Sequence, residues 1–259
     1  MLIAHVSDLH LGSHDPGAVA SLAADVAATG PMLTVITGDS TMRARSGQFR
    51  LASDLVARLP GPRLVVLGNH DIPLRPVSRL VRPYARYEAQ LCADLDPVLR
   101  VRGVTALGLN SMPRWRWKSG GVTRRQMAAV VQSLGAGASD TVRLLALHHP
   151  PFVGGPARLI GRTGLVRALV EARVDLVLAG HTHLPEARHV ELTAGGRTHR
   201  LVEVVAGTAT SRRVRGVVGR SWSLIRVDAD SVIVQERYQG DPADGGWRAG
   251  RTTCLNRRP

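Results

Sequence analysis

Cysteine is nearly absent from this chain. Cys92 and Cys254 are its only two, they form no Cys-x-x-Cys pair, and neither stands near the polar clusters described below. A thiolate metal site is thereby excluded as the organising chemistry, and two separated thiols fit a reducing cytoplasm; a disulfide between them stays open at this level. Long apolar runs are also missing. The most apolar windows, residues 18–38 and 165–180, are broken by Asp25, Gly30 and Pro31 and by Arg167, Glu171, Arg173 and Asp175, so neither reads as a membrane span. No linker or low-complexity stretch divides the 259 residues, and a single domain over 1–259 is expected. The first polar cluster begins at Asp8, directly after an apolar run, which leaves no room for a secretory signal; a cytoplasmic location is the expectation.

Lysine is the other scarcity. Lys118 is the only one, so the formal charge of +14 is carried almost wholly by arginine. That balance favours anionic partners: phosphate esters, nucleic acid or acidic lipid. The plainer reading is a bias spread over a solvated surface. Yet the arginines recur in clusters, at Arg43 and Arg45, from Arg79 to Arg86, at Arg114 and Arg116, from Arg212 to Arg215, and at Arg257-Arg258.

What is present is a repeated punctuation. Leu2 to Val6 leads into Ser7-Asp8-Leu9-His10, Leu33 to Thr37 into Gly38-Asp39, and Leu64 to Leu67 into Gly68-Asn69-His70-Asp71. Val142 to Leu147 leads into His148-His149-Pro150, and Val174 to Ala179 into Gly180-His181-Thr182-His183. Each apolar run reads as a buried strand, and each ends in carboxylate, imidazole or amide. In an α/β sheet the carboxyl ends of strands share one edge, so these side chains are expected to converge. Oxygen and nitrogen donors without sulfur suit Mn, Fe, Zn or Co, and their number suits two ions.

The ordered series Asp8-x-His10, Gly38-Asp39, Gly68-Asn69-His70-Asp71, His148-x-Pro150 and Gly180-His181-x-His183 resembles the calcineurin-like metallophosphoesterase family, and more narrowly its bacterial cyclic-nucleotide phosphodiesterase branch. The resemblance implies a four-layer α/β/β/α sandwich, two mixed β-sheets flanked by helices. It implies a metal site in which Asp8, His10 and His183 hold one ion, Asn69, His148 and His181 the other, and Asp39 bridges both. It also implies His70 as the catalytic histidine at the leaving oxygen, with Asp71 orienting or polarising its ring. The two ions would be divalent or mixed-valence, and the reaction would be hydrolysis of a small phosphodiester, such as a 3′,5′-cyclic nucleotide, by a metal-bound hydroxide. A nuclease of the same superfamily and a non-catalytic scaffold of the same fold are the alternatives, and nucleic acid is the less favoured partner. One departure stands out: many members continue Gly-Asp-x-x with Asp or Asn, where this chain has Met42. His149 is expected behind the ligands, and His5, His14, His189 and His199 are expected to be structural or surface residues.

Between the motifs, Asp15-Pro16 reads as a helix start ahead of Val19, Leu22, Ala23 and Val26 at helical spacing. Ala52, Leu55, Val56 and Leu59 predict a second helix, Thr123 with Gln126 a capping box ahead of a third, and Leu165, Leu169 and Ala172 a fourth after the loop at Gly154-Gly155-Pro156. Strand and helix alternation in the first third predicts a largely parallel first sheet. Residues 73–100 show no strong period and are expected to be helical and surface-lying. Arg114-Trp115-Arg116-Trp117-Lys118 interleaves aromatics with cations, as a base-stacking platform does; the plainer expectation is that both tryptophans pack down on the fold beneath a loop. Beyond His183, the runs 201–206, 222–227 and 232–236 have β character, and the strands from about 187 to 240 are expected to form the second sheet.

Overall fold

The computed structural model describes residues 1–136, 141–153, 159–215, 218–240 and 246–257. Three strands, β1 (Leu2–Val6), β2 (Leu33–Thr37) and β3 (Arg63–Val66), lie parallel and are joined by α1 (Pro16–Ala28) and α2 (Ser46–Arg58). Helix α1 starts where Asp15-Pro16 predicts: the Asp15 carboxylate accepts the Ala18 N–H at 2.9 Å, satisfying a first-turn donor that has no partner within the helix. It buries Ala18, Leu22, Ala23 and Val26, and α2 buries Phe49, Ala52, Leu55 and Val56.

A 3-10 turn at Asn69–Asp71 follows, then α3 (Pro76–Val81), α4 (Ala85–Gln90), β4 (Val98–Val101), β5 (Val104–Leu109), α5 (Arg124–Leu134) and β6 (Val142–Leu147). The predicted capping box opens α5, with the Thr123 hydroxyl accepting from Gln126 N–H and the Gln126 side chain accepting from Thr123 N–H. The chain continues as α6 (Arg162–Ala172), β7 (Leu176–His183), β8 (Glu186–Ala194), β9 (Arg197–Gly207), β10 (Ser221–Val227), β11 (Ser231–Gln239) and β12 (Trp247–Asn256). The loop at Gly154-Gly155-Pro156 lies outside the described residues.

The strands form two six-stranded sheets, in the orders β12-β11-β10-β1-β2-β3 and β4-β5-β6-β7-β9-β8. This corrects the expected assignment of the late strands. Only β8 and β9 complete the second sheet; β10, β11 and β12 return to the first, where β10 runs antiparallel to β1 with Ala4 opposite Leu224. The first sheet is therefore parallel in one half and antiparallel in the other. The reason lies in β1, a buried apolar strand whose outer edge would otherwise leave unpaired N–H and C=O groups. Alternation along β10 makes it a strand but does not say which edge it will cover.

Three apolar layers hold the sandwich together. One packs α1 and α2 on the first sheet around Leu22, Val26, Leu55 and Phe49, one joins the two sheets through Val35, Val66, Leu144 and Leu178, and one packs α5 and α6 on the second sheet around Val130, Leu134, Leu165 and Leu169. The result is the α/β/β/α arrangement. Two local expectations fail. Residues 98–101 pair with β5 as a strand, and within the otherwise helical stretch Tyr87 is buried, its hydroxyl donating to the Val65 carbonyl at 3.0 Å. Trp115 and Trp117 are 67% and 53% exposed instead of packed down. The interior place beneath them is taken by Arg79, whose guanidinium donates to the carbonyls of Pro73, Arg114 and Arg116 and lies 4.5 Å from the Trp117 ring. Both cysteines are free, and among the described residues no helix is long and apolar enough to cross a membrane.

Candidate metal centre

The polar residues that end the strands meet, but across two sheets instead of along one. Asp8 and His10 follow β1, Asp39 follows β2 and Asn69 and His70 follow β3; His148 follows β6, and His181 and His183 close β7. The turns that deliver them are strained. Asp8, His10, Asp39, His181 and His183 all have positive φ, between 49° and 72°, a region that side-chain-bearing residues seldom enter. Strain of this kind persists where the surrounding structure enforces it, and it gathers at functional sites. The space is also tight: a Cβ on Gly68 would lie 2.1 Å from the Asp39 nitrogen and 2.2 Å from its Oδ1, so only glycine lets β3 pass beside Asp39.

Two groups of donor atoms result. In the first, Asp8 Oδ1 is 3.1 Å from His183 Nε2 and 3.6 Å from His10 Nε2, and the two imidazole nitrogens are 3.0 Å apart. In the second, Asn69 Oδ1 is 3.1 Å from both His148 Nε2 and His181 Nδ1, which are 3.3 Å from each other. Asp39 stands between them, with Oδ2 3.6 Å from His10 Nε2 and Oδ1 3.4 Å from His148 Nε2.

Main-chain carbonyls fix which ring nitrogen faces inward. His148 donates from Nδ1 to the Thr37 carbonyl at 2.7 Å and His183 from Nδ1 to the Arg213 carbonyl at 2.8 Å, which leaves Nε2 of each as the nitrogen that faces the centre. His149 is different. Its Nε2 donates to the Lys118 carbonyl at 2.9 Å and its Nδ1 accepts from the Ser111 hydroxyl at 2.8 Å, so both nitrogens are used and the ring supports the loop at Lys118. Burial and the neighbouring His148 and His181 hold His149 well below the usual imidazole range. His5 is buried on Thr37 Oγ1 at 2.9 Å, and His189 and His199 donate to the Asn256 and Val174 carbonyls.

Burial alone would push the Asp8 and Asp39 carboxyls up. The close imidazoles of His10 and His183 outweigh it at Asp8, and those of His148 and His10 outweigh it at Asp39, so both sit below the usual carboxylate range. His148 is pushed up to about 9, since Asp39 and Asp8 more than offset its burial, whereas burial and His148 together bring His181 down to about 4. The centre is an anionic pair of carboxylates ringed by imidazoles.

A metal fits this donor set on two observations. Asp8 Oδ1 is buried with no hydrogen-bond partner among the described residues, although Oδ2 of the same carboxylate is satisfied by the Ser7 hydroxyl at 2.7 Å and the His181 N–H at 3.0 Å. Four imidazole nitrogens, an amide oxygen and two carboxylates converge without sulfur, the mixture that borderline divalent ions take.

The structure corrects the role expected of Asp71. Its carboxylate does not meet the His70 ring. It accepts from the N–H groups of Gly68 at 3.0 Å, Ser40 at 3.2 Å and Thr41 at 2.8 Å and from the Thr41 hydroxyl at 3.0 Å, tying the two ligand loops together. Burial and the nearby Asp39 charge push Asp71 up to about 6. His70 donates from Nδ1 to the Met42 carbonyl at 2.8 Å instead.

The centre opens into a cavity of about 640 Å³, also lined by Lys118, Ser119, Arg213, Val214 and Arg215. Sequence reading found the arginine cluster but not its place at the mouth. It also missed Thr208 and Thr210, whose hydroxyls donate to the Asp8 and Leu9 carbonyls at 2.7 and 2.5 Å and brace the first ligand loop. The signal open to sequence was Thr208-Ala209-Thr210 at the end of β9, polar residues closing an apolar run like the ligand motifs themselves.

A profile of the calcineurin-like phosphoesterases matches residues 1–185. Over 198 residues the chain is 28% identical to a probable cyclic nucleotide phosphodiesterase of Synechococcus sp., covering 70% of this chain and 72% of that one. The fold superposes on a purple acid phosphatase from yellow lupin (Lupinus luteus) seeds with a TM-score of 0.69 at 11% identity, covering 99% of this chain. This chain spans 53% of the lupin enzyme's length.

Proposed function

Because the chain belongs to the calcineurin-like phosphoesterase family, we propose that it is a dinuclear-metal phosphodiesterase acting on a small phosphodiester of the 3′,5′-cyclic nucleotide kind. The observation that carries the reading is Asp39, which presents one carboxylate oxygen to each donor group. Asp8, His10 and His183 would hold one ion and Asn69, His148 and His181 the other, with Asp39 contributing to both. When bound, two such ions supply Lewis-acid polarisation of the phosphate and activation of the attacking water.

The remaining work falls to the chain's own groups. Lys118, Arg213 and Arg215 line the cavity mouth and attract the anionic ester. The Arg213 main chain does a second job, since its carbonyl fixes the His183 tautomer. His70 also lines the cavity, and its Nδ1–H is committed to the Met42 carbonyl, so Nε2 is the nitrogen open to substrate. As general acid it would pass a proton from Nε2 to the departing alkoxide. Asn69 as a neutral ligand keeps the site short of a third carboxylate, which preserves attraction for a phosphodiester anion.

The test is kcat/KM of metal-loaded protein for a cyclic nucleotide and for a single-stranded oligonucleotide across a salt series. The cyclic nucleotide carries one phosphate and is expected to be turned over with shallow salt dependence. Efficient oligonucleotide cleavage that falls by orders of magnitude with rising salt would replace it with a nuclease. No turnover of any phosphoester by protein shown to contain two ions would leave a scaffold.

A further inference from the structure

Among the described residues, six of the eleven exposed large apolar side chains fall on two short segments, 74–81 and 115–117. Leu74, Val77, Leu80 and Val81 on and around α3 are 46%, 75%, 57% and 70% exposed, and Trp115 and Trp117 belong to the same surface. The two segments are stitched together: Arg79 on α3 donates to the Arg114 carbonyl at 2.7 Å and to the Arg116 carbonyl, and Arg114 donates back to the Leu80 carbonyl at 3.0 Å. An apolar platform held rigid from beneath by a buried guanidinium is a built surface, since apolar patches on monomeric proteins are normally broken up by polar groups.

Its rim is cationic. Arg75, Arg82, Arg86, Arg114 and Lys118 are exposed, and no acid occurs at residues 72–87 or 97–136. Among the described residues none of those five cations is ion-paired to a carboxylate. Beside the platform, Arg43, Arg45, Arg75 and Arg86 line a second cavity of about 450 Å³ together with Leu74 and Ser78. No acid lines it, and Arg86 is held there by donation to the Ala44 carbonyl at 2.7 Å.

We propose that this face docks the protein on an anionic lipid bilayer: Val77, Leu80, Val81 and the two tryptophans enter the headgroup boundary, and the arginine-lined cavity receives a lipid phosphate. The charge is complementary, and the combination of aliphatic and indole side chains with a cationic rim is the composition of an interfacial anchor. Nucleic acid explains less of the surface. The tryptophans and arginines suit stacked bases and phosphates, but three exposed aliphatic side chains on α3 offer a polar polyanion nothing. Lys118 belongs both to this rim and to the mouth of the metal centre, so docking would set the catalytic cavity close to the membrane surface.

The experiment is cosedimentation of the full chain with vesicles of phosphatidylcholine alone and of phosphatidylcholine with phosphatidylglycerol, with a single-stranded oligonucleotide as competitor. Binding is expected on the mixed vesicles, at least about tenfold tighter than on the neutral ones. Val77→Ser with Leu80→Ser, both exposed and outside the metal centre, is expected to weaken it by roughly tenfold or more while circular dichroism stays that of the parent. Arg75→Gln with Arg82→Gln should weaken it too, and only at low salt. Asp39→Ala should bind vesicles as the parent does, which separates docking from catalysis. The proposal is overturned if mixed vesicles bind no better than neutral ones, if the aliphatic double variant binds unchanged, or if the oligonucleotide displaces the protein from the vesicles and is held equally by that variant.

Discussion

His70 donates its Nδ1 proton to the main-chain carbonyl of Met42, 2.8 Å away, and not to its sequence neighbour Asp71. Met42 thus serves His70 through its backbone carbonyl, a contact that does not depend on its side chain. Met42→Ala is accordingly expected to leave kcat within a few-fold of the parent, while His70→Ala keeps most of the metal and loses about 10²–10⁴ in kcat. An activated aryl phosphodiester, whose leaving group needs no proton, should lose less than a cyclic nucleotide. Equal losses on both substrates would remove the general-acid role.

Asp71 is expected to behave as a loop tie. Asp71→Ala strands the N–H groups of Gly68, Ser40 and Thr41 in a buried place, at about 1–3 kcal/mol for each donor left without an acceptor. Thermal or denaturant unfolding should show that loss together with weaker metal retention. Sensitivity to the leaving group should stay that of the parent, which separates this residue from His70. A stable, metal-replete variant with selectively reduced activity on poor leaving groups would return Asp71 to the catalytic machinery.

Asp39 faces both donor groups, so Asp39→Ala should lower the occupancy of both ions and hydrolysis together. Metal analysis and turnover on one preparation decide this. Two ions bound per chain with near-parental turnover is the outcome that contradicts a bridging carboxylate.

His5 is a buried imidazole with no part in the proposed chemistry. Burial lowers it from 6.5 to about 3, with Asp8 pulling weakly the other way. Between those two values the unfolded chain takes up the proton and the folded chain does not, so stability present above pH 6.5 is lost as pH falls, by ~1.4 kcal/mol per pH unit for this group. His5→Gln should flatten the fall in unfolding free energy over that window relative to the parent. An unchanged slope would mean that the native ring already carries its proton.

Much of the centre was legible in the chain itself. Short apolar runs closed by polar Asp, His or Asn identify strand ends and the side chains that converge there, because a buried strand can place polar groups only where it leaves the core. Helices α1 and α5 were legible for a similarly local reason, in Asp15-Pro16 and in Thr123 with Gln126. Such signals need no knowledge of distant residues.

Tertiary structure decided what depends on partners far along the chain. Which edge β10 covers was set by the unpaired side of β1, and no period within residues 221–227 encodes that choice. Asp71 looked like a partner for His70 by adjacency, but a 3-10 turn after β3 carries its carboxylate back to Gly68, Ser40 and Thr41, and the left-handed backbone of Asp8, Asp39 and His181 is equally invisible in residue identity. The tryptophans follow the same logic: composition proposes that large aromatics go inside, and Arg79, bonded to three carbonyls beneath them, holds Trp115 and Trp117 out in solvent. Local residue pattern determines which elements form and where their polar ends lie, because those are near-neighbour effects; pairing, side-chain direction and surface exposure are settled by competition among residues that meet only after the chain has folded.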